Sequence, residues 1–417
     1  MKHYQRFISL TVIVLAACVA GFAQTTPAPV AVNQAKLEEL RAAGFAALYN
    51  LDYDGARKQF KEIQQLYPTH PAGPQWLAAT LWAQTLNETR GLQASLYSSD
   101  DFYAQKETKP DPKVAAEFRA LTDQSLALSK GRLKVNPKDI EALYFLGVTK
   151  GLKAGYKVGV EHSFLGALGD GKDSVDNHKD VLKLDPTFQD AALTVGLYDY
   201  TVASLPPFVR LTVNLFGFSG SKKRGLATLE RVTQEGTRAR DDARSLLIVL
   251  YKREKRYADA LRITRELAVK YPRNYLFKLE AADALSSLAT EARAAKKTDV
   301  AADYERDAFA LFDAVLRDKN AAKTLDLVHA KYGEALFAAA QYAVAAQEFT
   351  AAATTPNAET NLVTGTRLRA GQAYDLAGKR KEAVEQYEAV LKRADVLNAH
   401  EQAKKGLKEP YKLAQTS

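Results

Sequence analysis

The chain repeats itself with a period of 34 residues, and this period restricts its fold more than any other feature. Residues 37–70 place Gly44, Tyr53, Ala56, Phe60 and Pro68 at positions 8, 17, 20, 24 and 32 of the unit. Residues 326–359 place Gly333, Tyr342, Ala345, Phe349 and Ala352 at positions 8, 17, 20, 24 and 27. Residues 364–397 repeat the pattern with Gly371, Ala383, Tyr387 and Val390, and residues 241–274 with Tyr257, Ala260, Leu267 and Pro272, although Ile248 stands at position 8 there. Small residues at positions 8 and 20 let two antiparallel helices approach closely, and the larger residue at 24 fills the space beside them. Proline at position 32 ends the second helix, because it cannot continue one. No single pair can bury its apolar face alone, so neighbouring pairs stack into a solenoid.

Between the clear units lie degenerate ones. Pro137 and Pro186 read as unit ends, and Gly147 and Gly196 each follow ten residues later, at position 8 of the next unit. The helices after these glycines are expected to be lengthened or interrupted. Residues 91–112 read as a long loop, and residues 275–320 as two longer helices joined near Ala294-Ala295-Lys296-Lys297. A last helix over about 398–414 would give the array its polar end. The expected layout is a leader over 1–23, a tether over 24–36, repeats over 37–238 with an insertion at 204–223, and C-terminal repeats with a cap over 239–417.

The repeat resembles the tetratricopeptide repeat, and this resemblance implies an all-α, right-handed solenoid of antiparallel helix pairs. Between residues 140 and 275 the chain carries Asp190-Ala-Ala-Leu-Thr-Val-Gly196, then Ser204-Leu205-Pro206-Pro207, Phe216-Gly217-Phe218-Ser219-Gly220 and Arg224-Gly225-Leu226. These motifs look like bacterial envelope tetratricopeptide proteins. More distantly they resemble the tetratricopeptide repeat protein 39 family, which includes the fungal inclusion-body clearance protein. The resemblance implies a scaffold without catalysis and says little about partners.

The N-terminus reads as an address. Lys2, His3 and Arg6 precede an apolar run from Phe7 to Ala17, and small residues follow to Ala23. This is the three-part layout of a secretory signal, with cleavage expected after Ala23. Leu15-Ala16-Ala17-Cys18 is a competing reading, a bacterial lipoprotein box in which Cys18 is lipidated. Both lead to an exported protein, either periplasmic or secreted, or anchored in the outer membrane. Cys18 is the only cysteine, so no internal disulfide can form.

Several enzyme classes lose support on spacing. The six histidines do not pair at metal-ligand intervals. The acidic run from Asp170 to Asp180 has Lys172 and Ser174 where a calcium loop needs oxygen ligands, and it reads instead as a solvated helix start after a glycine turn. There is no Gly-x-Ser-x-Gly elbow, and no Gly-rich segment ends in Gly-Lys-Ser/Thr. No cofactor is expected. The 58 Lys and Arg against 49 Asp and Glu give a net charge of +9, spread along the helices, which disfavours nucleic acid as a partner.

What remains is binding. The inner groove is expected to offer Phe45, Tyr144, Tyr200, Val249, Lys252, Phe337 and Gln372 to an extended peptide or a partner helix, although each aromatic also suits packing between repeats. The insertion carries Phe208, Leu215, Phe216 and Phe218, followed by Lys222-Lys223-Arg224. It reads either as a surface element touching a membrane or partner, or as a short helix packed on the solenoid. The sequence therefore points to a non-catalytic envelope scaffold for an unidentified protein or peptide. The alternatives are a membrane-apposed assembly factor, and a binding protein or hydrolase for a small ligand. The oligomeric state is not legible.

Overall fold

The computed structural model describes residues 32–92, 109–215 and 217–413. Eighteen α-helices lie among them, and most form antiparallel pairs in chain order. The pairs are α1 (Gln34–Tyr49) with α2 (Tyr53–Leu66), α3 (Ala72–Glu88) with α4 (Pro112–Val135), and α5 (Ile140–Gly159) with α6 (Phe164–Leu184). Next, α7 (Ala192–Ser204) pairs with α9 (Lys222–Glu235), with the short helix α8 (Pro207–Leu215) between them. Then come α10 (Arg240–Arg253) with α11 (Tyr257–Lys270), α12 (Tyr275–Ala294) with α13 (Thr298–Leu316), α14 (Leu325–Ala338) with α15 (Tyr342–Thr354), and α16 (Thr360–Leu376) with α17 (Arg380–Leu391). Helix α18 (Ala399–Lys408) closes the array. The protein is an all-α solenoid of the tetratricopeptide type.

Three of the four clear pairs are held by one kind of contact; in the fourth, α10 with α11, Ile248 stands at the glycine's position. A methyl group added at Gly333 would lie 2.7 Å from the ring of Phe349, and one at Gly371 would lie 2.5 Å from Tyr387. Gly44 faces Phe60 in the same way. In all three pairs the ring sits sixteen residues after the glycine. In the degenerate units the interval lengthens. Gly147 meets His178, and Gly196 meets Thr228, Leu229 and the backbone of Gly225. The additional chain makes α5 and α6 twenty and twenty-one residues long in one unit, and supplies α8 in the other.

The punctuation follows from backbone chemistry. Tyr67, Asn136, Asp185 and Tyr271 end α2, α4, α6 and α11, and each precedes a proline. Their extended or near-extended backbones are what the proline ring demands of the residue before it. The turn between first and second helices recurs with a left-handed residue at Leu51, Lys255, Lys296, Ala340 and Gly378. Side chains of Asn33, Asp52, Asp111, Asp139, Ser221 and Asn274 cap helix starts.

Two expectations are corrected. The final helix ends at Lys408 rather than near 414, because Pro410 forces Glu409 into an extended backbone (φ −145°, ψ 147°). Residues 166–171 do not form a turn. Helix α6 runs through Gly166, Gly169 and Gly171, and Asp170 is tied to Lys150 and Lys157 at 3.0 and 2.8 Å. The longer pair predicted at 275–320 is present, with its joint at residues 295–297. Of the loop predicted at 91–112, residues 93–108 lie outside the described residues, as do the leader and most of the tether.

The glycine contacts give a test with opposite signs. Gly371→Ala places its methyl against the Tyr387 ring and should destabilise the C-terminal repeats by about 1–3 kcal/mol through overpacking. Gly131→Ala in α4, where nothing lies within 4 Å, should stabilise by roughly 0.5–1 kcal/mol through helix propensity. Urea unfolding followed by circular dichroism measures both.

Candidate partner-binding groove

The first helix of each pair faces the inside of a curl, and long-range contacts show how far the curl closes. Arg238, just before α10, reaches Glu38 of α1 at 2.7 Å. The Tyr49 hydroxyl, at the end of α1, donates to Asp242 of α10, and its ring stacks on Tyr271 at 4.8 Å. The Asn274 side chain donates to the Tyr49 carbonyl at 2.8 Å, and the Arg273 amide donates to Asn50 at 3.1 Å. Arg90, after α3, pairs with buried Asp326 at the start of α14 at 2.7 Å. These partners stand about two hundred residues apart in sequence. The N-terminal pairs are thus clasped across the inner face onto the region from α10 to α14.

The clasp is built of charge. Glu141 receives His70 and Arg132 at 3.1 Å each, and Arg238 lies 3.7 Å away. Burial alone would raise its carboxyl, but the His70 contact and the charges of Arg132 and Arg238 hold it down at about 2. Asp190 accepts from the backbone amides of Thr237, Arg238 and Ala239 at 2.8, 3.0 and 2.9 Å, which fixes the segment carrying Arg238. Asp242 behaves oppositely. Burial and the neighbouring charges of Asp241 and Asp190 push it up to about 6, against the opposing Tyr49 hydrogen bond and Arg41.

Beyond the clasp, the inner face of the C-terminal pairs carries a ladder of mixed charge. Lys252 of α10 is buried between Glu280, at 2.5 Å, and Asp283 of α12. Burial disfavours its charge, yet the two carboxylates hold the ammonium above its ordinary value. Lys331 of α14 reaches Asp283 at 3.3 Å. Asp283 is held well below the usual carboxylate range, because Lys331 and Lys252 outweigh its burial. One turn further, Arg369 of α16 grips Glu334 with two bonds of 2.7 and 2.6 Å. Its guanidinium also lies 3.9 Å from the centre of the Phe337 ring and donates to Gln372 at 2.9 Å. Gln372 in turn reaches Gln402 of α18 at 3.4 Å. The ladder therefore runs from α10 to α18 in two parts, which meet on α14 at Lys331 and Glu334.

The residues expected to line the groove divide accordingly. Lys252, Phe337 and Gln372 are brought together on the ladder. Phe45 packs edge-on against Phe60 and Trp76, at 5.3 and 5.7 Å. Val249 is half-buried on α10. Tyr144 and Tyr200 do not line an open face. Tyr144 is buried against Phe145, His178 and Phe188, and the Tyr200 hydroxyl is captured by Glu254 at 2.7 Å. In the insertion Leu215 is exposed and Phe218 is half-buried near Tyr198. The side chains of Phe208 and Phe216, and Cys18 altogether, lie outside what the structure describes. Sequence reasoning missed Asp283, Lys331 and Arg369. Lys331 and Arg369 both occupy position 6 of their units, one residue past the groove position that was read. Asp242 does stand at a groove position, the second of its unit.

Among the described residues, no group of three or more His, Cys, Asp or Glu side chains is placed to hold a metal ion. No described helix is long and apolar enough to cross a membrane. No family model and no curated protein matches the chain. Solved structures similar to it include human IFIT1 as a dimer with m7Gppp-AAAA, at 13% identity over 91% of this chain and 86% of that one, TM-score 0.44. Yeast Tom70 matches at 11% identity over 89% and 88%, TM-score 0.35. A tetratricopeptide repeat protein from Parabacteroides merdae matches at 15% identity over 80% and 99%, TM-score 0.29. The fold assignment rests on the helix pairs and their glycine contacts.

The clasp should respond to pH with a definite sign. The Asp242 carboxyl is raised on folding from 3.8 to about 6, so acidification from pH 7 to 5 should tighten the clasp, by on the order of 1–3 kcal/mol. Below about pH 4.5 the depressed Glu141 works in the opposite direction, and stability is lost as it protonates. Hydrogen exchange of the α1 amides should slow between pH 7 and 5 after correction for intrinsic rates. Asp242→Asn should remove that slope.

Proposed function

We propose that this protein is a non-catalytic scaffold of the bacterial cell envelope. It holds an extended peptide or a helix of a partner protein along the inner face of α12, α14 and α16. The observation that carries this reading is the Glu334–Arg369–Phe337–Gln372 group. It offers an aromatic face, a guanidinium and a carboxylate on neighbouring first helices, and Glu334 and Arg369 keep 53% and 28% of their side chains exposed. Such mixed donors, acceptors and apolar surface suit a polypeptide. A polyanion would meet Asp283 and Glu334 on the same face. Catalysis draws no support from the perturbed carboxylates: Asp283 and Glu141 are neutralised by ion pairs, and Asp242 is covered by Tyr49.

The envelope part of the reading rests on the three-part N-terminus, with Cys18 giving it a lipid-anchored version. The mass of the mature N-terminal peptide separates the two. A peptide starting at Gln24 supports secretion, and one starting at a diacylated Cys18 supports anchoring. A chain retaining Met1 overturns both.

The groove is tested by placing a photocrosslinking residue at Phe337 and, as a control, at Arg262 on the exposed side of α11. One protein should be captured from position 337 and not from 262. Arg369→Glu should weaken that capture at least tenfold, since it reverses the charge facing Glu334 and removes the cation from the ring. Equal capture from both positions would sink the groove reading.

A further inference from the structure

Helix α8 presents an apolar edge to solvent that the solenoid does not use. Leu211 and Leu215, one turn apart, are 67% and 80% exposed, while Val213 points inward at 4%. A nine-residue helix is only about 14 Å long. It is too small for a stable protein interface, which needs roughly 800 Å² on each partner. It is long enough to lie in a bilayer surface, where a short amphipathic helix sinks a few apolar side chains to the level of the headgroups.

The segment's own charge has one sign, while Asp199 stands in the wall of the cleft beside it. No Asp or Glu occurs between Asp199 and Glu230, while Arg210, Lys222, Lys223 and Arg224 do. Lys222 and Arg224 are engaged by Glu254 and Asp199, which leaves Lys223 and Arg210 at the surface. Beside the segment that follows α8 lies a cleft of about 510 Å³ between α6, α7 and α9. Its wall includes Gly217 and Ser219 from that segment, with Lys179, Arg224 and Arg231. Lys179 and Arg231 have exposed side chains and no ion-pair partner among the described residues. Apolar insertion and cationic contacts thus come together at one place, and more than marginal attachment to a bilayer takes such a combination of two weak signals.

We propose that α8 and the adjoining cleft form a docking surface for an anionic lipid bilayer. Leu211 and Leu215 enter the interface, and Lys179, Lys223 and Arg231 meet lipid phosphates. The surface is separate from the inner face of α12 to α16, so it stands or falls independently of the peptide-binding reading.

The N-terminal apolar run can itself bind vesicles, so the test reads position 215 directly. The full chain with Cys18→Ala and Leu215→Cys carries an environment-sensitive fluorophore at residue 215. A control carries Cys18→Ala and Arg262→Cys, labelled on α11. Vesicles are phosphatidylcholine alone, or equal parts phosphatidylcholine and phosphatidylglycerol. The emission at 215 should shift to the blue with the anionic vesicles only, and that at 262 should not shift. Lys179→Gln with Arg231→Gln should weaken the apparent affinity on the order of tenfold, and 0.5 M salt should do the same, roughly as loss of two cationic contacts predicts. Leu211→Ser in the labelled chain should reduce the shift without changing the circular dichroism spectrum. No shift at 215, or equal shifts at 215 and 262, overturns the proposal. A shift that appears without vesicles and grows with protein concentration also overturns it, because a second copy then covers α8. Full competition by free glycerol phosphate would assign the cleft to a soluble phosphate and overturn the bilayer reading.

Discussion

The structure depends on an aromatic ring packed directly against a glycine. In three of the four clear pairs the first helix carries no side chain where the second helix presents Phe60, Phe349 or Tyr387. The backbone itself forms the wall of the site, so the two helices approach closely. Apolar burial fills the rest of each pair, but this contact fixes depth and register together. The Tyr387 ring is bounded on both sides, by Gly371 of α16 and by Gly406 of α18. The terminal helix therefore behaves as the first half of a further repeat, and its exposed Lys404, Lys405 and Lys408 supply the polar end that a stacked array needs.

A solenoid tolerates added chain wherever the glycine contact can still form. Each pair touches mainly its neighbours, so an insertion is absorbed locally. In α5 and α6 the extra residues extend both helices beyond the Gly147–His178 contact. There they gather Phe118, Tyr156, Leu152 and Val160 into a separate apolar cluster with α3 and α4. In the next unit Gly196 and Gly225 bring α7 and α9 into backbone contact, and the surplus leaves the pair as α8. The centre of the chain is where the repeat is least regular, and the exposed apolar edge of α8 lies there for the same reason.

Much of this was legible in the sequence, and the reasons are local. Glycine at position 8 and proline at 32 act through their own backbones, so they announced pairs and boundaries without knowledge of neighbours. The left-handed turns were not legible, because Leu51, Lys255, Lys296 and Ala340 occupy a conformation that only Gly378 advertises. The glycines of α6 misled because a helix supported on both sides tolerates residues of poor propensity. Tyr144 and Tyr200 occupied the right periodic positions, but their burial is decided by Phe188 and Glu254 of other elements. The clasp was out of reach. It joins residues about two hundred positions apart, and no periodicity within a 34-residue unit encodes how strongly the stack will curl.

That closure has an energetic consequence for recognition. The N-terminal and C-terminal apolar clusters are largely distinct, and the clasp between them is dominated by ion pairs and hydrogen bonds around Arg238, Tyr49, Arg273 and Arg90. Partly exposed ion pairs each contribute only about 0–1 kcal/mol, and salt screens them. Buried Asp326 is the exception, since separating it from Arg90 strands a carboxylate with little water around it. Curvature is therefore held by a small number of contacts that ionic conditions can weaken, while each helix pair is held by packing that they cannot. The first helices of the C-terminal pairs keep their ladder whatever the clasp does, because the bonds of Lys252, Asp283, Lys331, Glu334 and Arg369 along it are all made among α10, α12, α14 and α16. A partner that touches both the ladder and the N-terminal pairs meets a preformed surface on one side and a clasp-held one on the other. Affinity for such a partner and closure of the curl must then be linked, each shifting the other by the same free energy.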